Sequence, residues 1–439
     1  MAGTKNKIEI SNHSYYYSLE IEGINCFKDK QVLDLSDEKG NFSPWTIILG
    51  DNGTGKTTLL KILDRVQPDE TAIDFSKQNI KLDVNYYFPK YNFNGIDSEL
   101  ISKKTEQLSK GILTVLRKNN KEDITFGSFQ EGKNLFFSED QIDMFVLSYG
   151  ASRKMSKSQN LRTSIRSYTN SLFDDSIELI NAEEWFLQKE WAFLKSENNT
   201  KLKFKREFDL VIELLIDILP DVHKIVSKTI DENNSKPKIE VKTSFGWVNI
   251  RDLSYGYQTI TALLVDIASN IMERYPESEN PLSEPVIILI DEIDLHLHPK
   301  WQRIVIDKLS HHFPKAQFIV TAHSPLILQV AQDKNANIVV CRKEDDRVVI
   351  DNNPESVKGW RIDQILTSDL FEVSSSQSTE IERIRTEKIN ILLKNEISDK
   401  DKERLVFINE RLNSSPVFSN KESIDAEELI KKAAQILKK

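Results

Sequence analysis

The sequence predicts an α/β fold with a mainly parallel sheet, antiparallel strands near the N-terminus, a helical insertion and a helical C-terminal tail. Three observations predict it. Short continuous apolar runs of strand length recur at Trp45 to Leu49, from Met144, at Val286 to Ile290 and at Gln317 to Ala322. Such runs mark strands buried on both faces, as parallel sheets require. Helical spacing lies between the later runs, the alternation that lays helices on the faces of a parallel sheet. Residues Leu161 to Val226, finally, are poor in glycine and space their apolar residues three and four apart, which predicts a block of two or three helices.

Near the start of the chain, "SLEIEGINCFKDKQVLDL", Ser18 to Leu35, alternates in polarity and reads as two antiparallel strands joined by a polar turn. "WTIIL" is a buried strand running into glycines and a helix. Between Asp64 and Gln141 the pattern is mixed, with "VNYYFPKYNF" as strand and loop and a helical stretch near Ser102 to Arg117. "MFVLSYGASR" is a core strand ending at Tyr149 and Gly150, followed by serines and basic residues that mark a boundary. "AEEWFLQKEWAFLKSE" and "KREFDLVIELLIDILP" are helices, the second stopped by Pro220. Neither sustains the three or four heptads of a coiled coil. Strand character returns at "KIEVKT" and "WVNI", then a helix, then the strands "VIILI", "QFIVTA" and "NIVVCRK". Beyond Pro354 two capped amphipathic helices follow. The implied domains are 1–150, a lobe carrying a glycine-rich loop; 151–236, the helical insertion; 237–350, the rest of the core; and 351–439, a helical accessory region.

Composition narrows the function classes. At 439 residues, 39% hydrophobic and 29% charged, the chain is ordinary for a globular protein. A net charge of -9 argues against a globally basic nucleic-acid binder. Two local basic clusters stand out, Arg153, Lys154, Lys157, Arg162 and Arg166, and Lys201, Lys203, Lys205 and Arg206. Each reads equally as a solvated helix face. No apolar run approaches the roughly 20 residues of a membrane span. The first residues, "MAGTKNKIEISNHS", lack the apolar core of a signal peptide. Two cysteines, Cys26 and Cys341, fit a reducing compartment. A cytoplasmic protein without membrane partners is expected.

"GDNGTGKT", Gly50 to Thr57, satisfies GxxxxGK[ST] and sits between a predicted strand and a predicted helix, the context that motif requires. Glycines let backbone amides turn inward around a β-phosphate, and the helix N-terminus adds its positive end. Lys56 is placed to reach the β- and γ-phosphates, and the Thr57 hydroxyl to ligate magnesium. Gly50, Asn52, Gly53, Gly55, Lys56, Thr57 and Thr58 are therefore candidate nucleotide-binding residues, with ATP and Mg2+ as the expected substrate and cofactor.

"VIILIDEIDLHLHP" delivers Asp291 and Glu292 to the C-terminal end of a buried strand, where parallel sheets hold their ligands. Asp291 is the second candidate magnesium residue, acting through the ion's water shell. Glu292 is the candidate general base for the attacking water. "QFIVTAHSP" puts His323 after another buried strand, where a neutral imidazole could donate to the γ-phosphate. His296, His298, His311 and His312 lack matched zinc-ligand spacing and are read as packing or loop contacts.

A fourth stretch, "RDLSYGYQ", in isolation reads equally as a serine-capped helix start. In order, "GDNGTGKT", "LSYGYQ", "VIILIDE" and "TAHSP" resemble the Walker A, signature, Walker B and H-loop motifs of ABC-type ATPases, over roughly Ser18 to Arg342. That resemblance implies an ABC-type head in which Ser254 and Gly256 hold the γ-phosphate bound by a partner chain, with Asp294 as the D-loop aspartate at the seam. A head-to-tail homodimer or higher oligomer is implied too, with slow or regulated hydrolysis of ATP catalysed by Lys56, Glu292 and His323.

"LEIEGINCFKD" resembles the N-terminal hairpin of the SMC, RecF and OLD branch. "FVLSYGASR", "NAEEWF", "LSYGYQTITALLVDIA", "DEIDLHLHPKWQ", "FIVTAHSPLIL" and "GWRIDQILTSDLF" together most resemble the ATPase family of Septu antiphage defence systems, PtuA, also found in some retron systems. This resemblance implies a separate HNH nuclease bound in trans, with DNA or retron DNA as a further partner and no nuclease activity in this chain. The alternative is a RecF-like repair ATPase that clamps duplex DNA. The sequence departs from the ABC pattern at the Q-loop, where "SYGASRK" has no glutamine; Tyr149, Gly150 and Arg153 are read as lining the site in its stead.

Overall fold

The computed structural model describes residues 13–66, 80–87, 110–118, 121–130, 133–135, 144–157, 170–228, 237–371, 379–394 and 397–414. Strands β1 (Tyr15–Glu22), β2 (Gln31–Asp34) and β3 (Trp45–Gly50) lead into α1 (Lys56–Arg65), then β4 (Ile80–Tyr87), β5 (Lys110–Lys118), β6 (Lys121–Gln130), β7 (Lys133–Leu135) and β8 (Val146–Tyr149). Helices α2 (Ala182–Lys195) and α3 (Asn198–Ile218) precede β9 (Lys224–Lys228), β10 (Lys238–Thr243) and β11 (Gly246–Asn249). After these come α4 (Tyr255–Arg274), β12 (Val286–Ile290), α5 (Pro299–Gln302), α6 (Val305–His312) and β13 (Ala316–Thr321). The chain continues through α7 (Pro325–Asp333), β14 (Asn337–Glu344), β15 (Arg347–Asp351), α8 (Ile362–Leu366), α9 (Thr379–Leu392) and α10 (Asp399–Ser414).

The central sheet has the order β15-β14-β3-β13-β12-β8 and is parallel except for the edge strand β15. Its inner strands are apolar at nearly every position because both faces are covered. On one face Trp45, Ile47, Leu49, Ile288, Ile290, Phe318 and Val320 join a core with α2, α3 and α4. On the other, Ile48, Ile287, Leu289, Ile319 and Val339 pack with α1 and the N-terminal strands. Side chains point alternately to opposite faces of a strand, so an uninterrupted apolar run needs two cores, and the fold supplies both.

The N-terminal strands belong to a separate antiparallel sheet, β2-β1-β4-β5-β6-β7. The helical reading near Ser102 to Arg117 is corrected here: β5 occupies Lys110–Lys118 and pairs with β4 and β6, while 101–109 lies outside the described residues. "GILTVLR" sets two adjacent apolar pairs around Thr114, a pattern that periodicity alone does not assign, and pairing with the neighbouring strands decides such a short run in favour of strand. The block 151–236 contains the two expected helices but also the strand β9, which pairs with β10 in a three-stranded sheet β11-β10-β9.

The chain separates into two compact units, one of Met1–Ile365 with Asp369–Phe371, the other of Leu366–Ser368 with Glu372–Lys439. In the smaller unit Ile384 and Ile391 of α9 meet Ile408 of α10, and Arg404 grips Glu387 with two bonds of 2.7 and 2.9 Å. Ser398 and Asp401 exchange backbone and side-chain bonds at the start of α10, a reciprocal cap with Asp in the usual Glu place. No helix among the described residues is long and apolar enough to cross a membrane.

Candidate nucleotide-binding site

Three parallel strands end side by side at the same edge of the central sheet: β3 at Gly50, β12 at Ile290 and β13 at Thr321. The loops leaving these strand ends meet in one pocket of about 370 Å³, lined by Asn25, Cys26, Asn52, Gly53, Gly55, Lys56, Thr57, Thr58, Asp291, Glu292 and His323. The loop after β3 owes its path to glycine. Gly55 has φ 81°, and a side-chain carbon there would lie 2.5 Å from the Cys26 sulfur and 2.8 Å from the Phe27 ring. Only glycine combines that left-handed backbone with so close an approach.

Lys56 is buried and its Nζ donates to the carbonyls of Gly50 and Asp51, both at 2.8 Å. Burial pushes its ammonium below the usual lysine range, against the pull of Cys341, Asp291, Glu292 and Asp51. The Thr57 hydroxyl donates to Oδ2 of Asp291 at 2.7 Å. The Thr321 hydroxyl donates to the other oxygen at 2.6 Å and accepts from the Glu292 amide at 2.7 Å. One carboxylate and one hydroxyl held this close are hard oxygen donors that fit magnesium, which takes one or two protein oxygens and completes its shell with water and phosphate. Among the described residues no cluster of three His, Cys, Asp or Glu side chains could hold a metal alone.

Glu292 adopts φ 51° and His296 φ 64°, left-handed conformations uncommon outside glycine. Arg153 accounts for how this strained loop is held. Its guanidinium, 4% exposed, donates to the carbonyls of Asp291 at 2.7 Å, Glu292 at 2.9 Å, Gly150 at 3.3 Å and Leu295 at 3.4 Å. Burial brings it down to about 10, with Asp291, Asp294 and Glu292 opposing, so it stays cationic at neutral pH.

The reading of Tyr149, Gly150 and Arg153 as pocket lining is corrected: none of them lines it. Tyr149 is buried and its hydroxyl donates to Asp266 at 3.0 Å, while Arg153 acts behind the loop through backbone carbonyls. The physical reason is strand order, since β8 is the edge strand beyond β12, and both β12 and β13 stand between its end and β3.

Asp294 faces its own chain, accepting from the His323 amide at 3.2 Å through both oxygens. Ser254 is the exposed residue before α4 and its side chain makes no capping bond. Gln258 Nε2 instead folds back to the carbonyls of Arg251 and Leu253, each at 2.7 Å. A side-chain carbon at Gly256 would meet the His296 carbonyl at 2.6 Å, so glycine lets the first turn of α4 lie against the loop after β12. Ser254, Gly256 and Asp294 do not line the pocket. His296 packs edge-on against Tyr255 at 4.9 Å, His298 caps α5 and His312 contacts Asp217 at 3.0 Å.

The family model described as "AAA domain, putative AbiEii toxin, Type IV TA system" matches residues 46–329, well over half of the chain. The chain belongs to this AAA-domain family. The match opens inside β3, one residue after Trp45, and closes inside α7, so the pocket's three strand ends all fall within the AAA domain. Among curated proteins, the chain is similar to a Septu protein PtuA of Bacillus mycoides (strain KBAB4), 27% identical over 81% of this chain and 45% of the relative. It thus spans less than half of that relative's length. It is also similar to the retron Vc95 probable ATPase of Vibrio cholerae serotype O1 biovar El Tor, 26% identical over 67% of this chain and 68% of the relative. A solved SMC head bound to the C-winged helix domain of ScpA aligns with a TM-score of 0.41 at 16% identity, over 77% of this chain and 97% of that one.

Sequence reasoning missed three contributors. Asn25 and Cys26 enter the pocket from a tight turn in which Ile24 and Phe27 bond each other's backbones. Their signal was the polar pair between two apolar residues at the hairpin end, with Asn25 in the left-handed region at φ 49°. Thr321 was legible as the hydroxyl residue closing β13, two places before His323.

Proposed function

We propose that this chain binds Mg2+ and ATP in the pocket at the three strand ends and hydrolyses the nucleotide. The observation that carries the reading is the convergence of Lys56, Thr57, Asp291, Glu292 and His323 on one cavity from three separate strands. Loop amides from Asn52 to Thr58 cradle the phosphates at the N-terminus of α1, whose dipole favours negative charge. Lys56 exchanges its two carbonyl partners for β- and γ-phosphate oxygens. Thr57 and Asp291 hold the metal, which when bound neutralises charge developing on the transferred phosphoryl group. Glu292 accepts the proton of the attacking water as the bond from the γ-phosphorus to the bridging oxygen breaks, leaving ADP and phosphate. His323 steadies the γ-phosphate. The division 1–150, 151–236, 237–350 and 351–439 belongs to the same proposal.

The wider reading is a head-to-tail dimer or larger oligomer, cytoplasmic, in which Ser254 and Gly256 of one chain close the pocket of the next. Its support is that both lie exposed or half-exposed at a helix start, away from their own pocket. The similarity to a Septu PtuA and to a retron probable ATPase supports a role in antiphage defence: regulated hydrolysis that governs an HNH nuclease bound in trans, with no cleavage by this chain alone. The test is purification of the tagged chain from its native locus, with identification of stoichiometric companions and an ATPase assay beside Lys56→Ala. A co-purifying HNH nuclease and a Lys56-dependent ATPase are expected. A chain that emerges alone, with turnover stimulated by duplex DNA, contradicts nuclease control.

A further inference from the structure

Four residues of the two basic clusters that the sequence offers are engaged within the fold. Arg153 is buried behind the pocket, Lys205 pairs with Asp209 at 2.6 Å, Arg206 bonds the Ser278 carbonyl at 3.2 Å, and Lys201 lies over the Phe193 ring. Arg162 and Arg166 lie outside the described residues. A different basic surface is assembled by strand pairing, from residues that are scattered in the sequence.

In the sheet β11-β10-β9, Ile225, Ile239 and Val241 are buried against the core. Period-two alternation therefore turns Lys224 and Lys228 of β9 and Lys238 and Lys242 of β10 to the opposite face. Register brings them together: Lys228 faces Lys238 and Lys224 faces Lys242 across the strand pair. Like charges directly opposite each other destabilise a sheet, and here two such pairs flank the Glu240–Val226 pair on one face. Glu240 is the one carboxylate of these strands on that face, 3.7 Å from Lys228. Trp247 faces Lys242 from β11, with the ammonium groups of Lys228 and Lys242 at 5.5 and 5.6 Å from its ring centre. At the β10–β11 turn Phe245 is 96% exposed, an aromatic ring placed wholly in water.

On this strand face four lysines stand against one glutamate in a chain of net charge -9, while Glu183, Glu184 and Asp252 line a cavity with Lys238 at one end of the face. Repelling pairs and an uncovered aromatic persist where a polyanion with flat rings can relieve both. We propose that this sheet face binds a nucleic-acid strand, with phosphates along Lys224, Lys228, Lys238 and Lys242 and a base stacked on Phe245. The combination of a cationic groove with an exposed aromatic is what single strands use, since every base offers a stacking face. None of these residues lines the pocket at the three strand ends.

The test is fluorescence anisotropy of a labelled oligothymidylate of about 20 nucleotides, longer than one site, with the nucleotide-free full chain across a salt series. The variant with all four lysines replaced by Gln should bind at least tenfold more weakly, and its slope of log affinity against log salt should be shallower by about 3, near 0.7 per lost phosphate contact. Phe245→Ala should weaken binding by about fivefold or more, the low end for one stacked base. The four-lysine variant should keep the parent's thermal midpoint or raise it, since the opposed like charges are gone, and Phe245→Ala should leave the midpoint unchanged. Unchanged oligonucleotide binding in the four-lysine variant overturns the proposal, and loss of a protein companion alongside that result assigns the face to protein docking. An unchanged Phe245→Ala together with equal competition by polyglutamate also overturns it, leaving a non-specific polyanion patch.

Discussion

The phosphate-loop end of this chain and its signature stretch show opposite degrees of self-sufficiency. At the first, each group has a partner supplied by another part of the same chain: Lys56 by the loop carbonyls, Thr57 by Asp291, and Asp291 by Thr321. At the second, the backbone is fixed with equal care by Gln258 and by the contact of Gly256 with the loop after β12, yet the Ser254 hydroxyl is left exposed and does not cap its own helix. A helix N-terminus held rigid with its serine turned to solvent is what the proposed closure of a neighbouring chain's pocket requires. The difference teaches that the complete half of the proposed site is the half the chain can preorganise alone.

Breaking the complete half should have the largest effects. Glu292→Gln removes the proposed base while keeping shape, and should lower kcat by about 10²–10⁴-fold with nucleotide affinity retained, as read by steady-state turnover and by equilibrium binding. Lys56→Ala should lower turnover by about 10²–10³-fold and weaken nucleotide binding as well, a split that separates the clamp from the base. Equal loss of binding in both variants would merge the two roles and blunt the comparison.

Arg153 joins the two halves, because the loop it grips carries Glu292 on one side and packs against α4 on the other. Arg153→Met takes the guanidinium donors from the carbonyls of Asp291, Gly150 and Leu295, with Glu292 keeping the Leu295 amide at 2.9 Å, and should cost about 1–3 kcal/mol of stability in denaturant unfolding. Misplacement of Glu292 should lower kcat by up to about 10²-fold while KM for ATP stays close to the parent's. A rise in KM with unchanged kcat would show instead that Arg153 acts in binding.

The smallest effect should fall outside both halves. Asp401, at the start of α10, is held down to about 2 by Lys394 and then by Ser398. A depressed carboxyl stabilises above its unfolded value of about 3.9, and that contribution is lost as pH falls toward about 2. Hydrogen exchange of the full chain should show α9 and α10 loosening over that window, and Asp401→Asn should loosen them at neutral pH while ATP turnover stays unaltered.

Much of this was legible in the sequence because it depends on local pattern. Continuous apolar runs announced β3, β12 and β13, and the residues just past each run were the ones that meet. The illegible part depends on partners distant in the chain. β5 looked helical because a short apolar run cannot be told from a helix segment without its neighbours. Arg153 was read as a surface charge or a pocket wall, since nothing local shows that carbonyls from two loops would surround it. The lysine face of β9 and β10 was likewise hidden, because register, absent from a single strand's sequence, is what brings it together.

The most direct test of the composite site is the mass of the Glu292→Gln variant by sedimentation at micromolar concentration, with and without ATP and Mg2+. The account predicts a monomer without nucleotide and a dimer or larger assembly with it, abolished by the further change Ser254→Arg. A variant that binds ATP yet stays monomeric, or one whose assembly ignores Ser254→Arg, contradicts it.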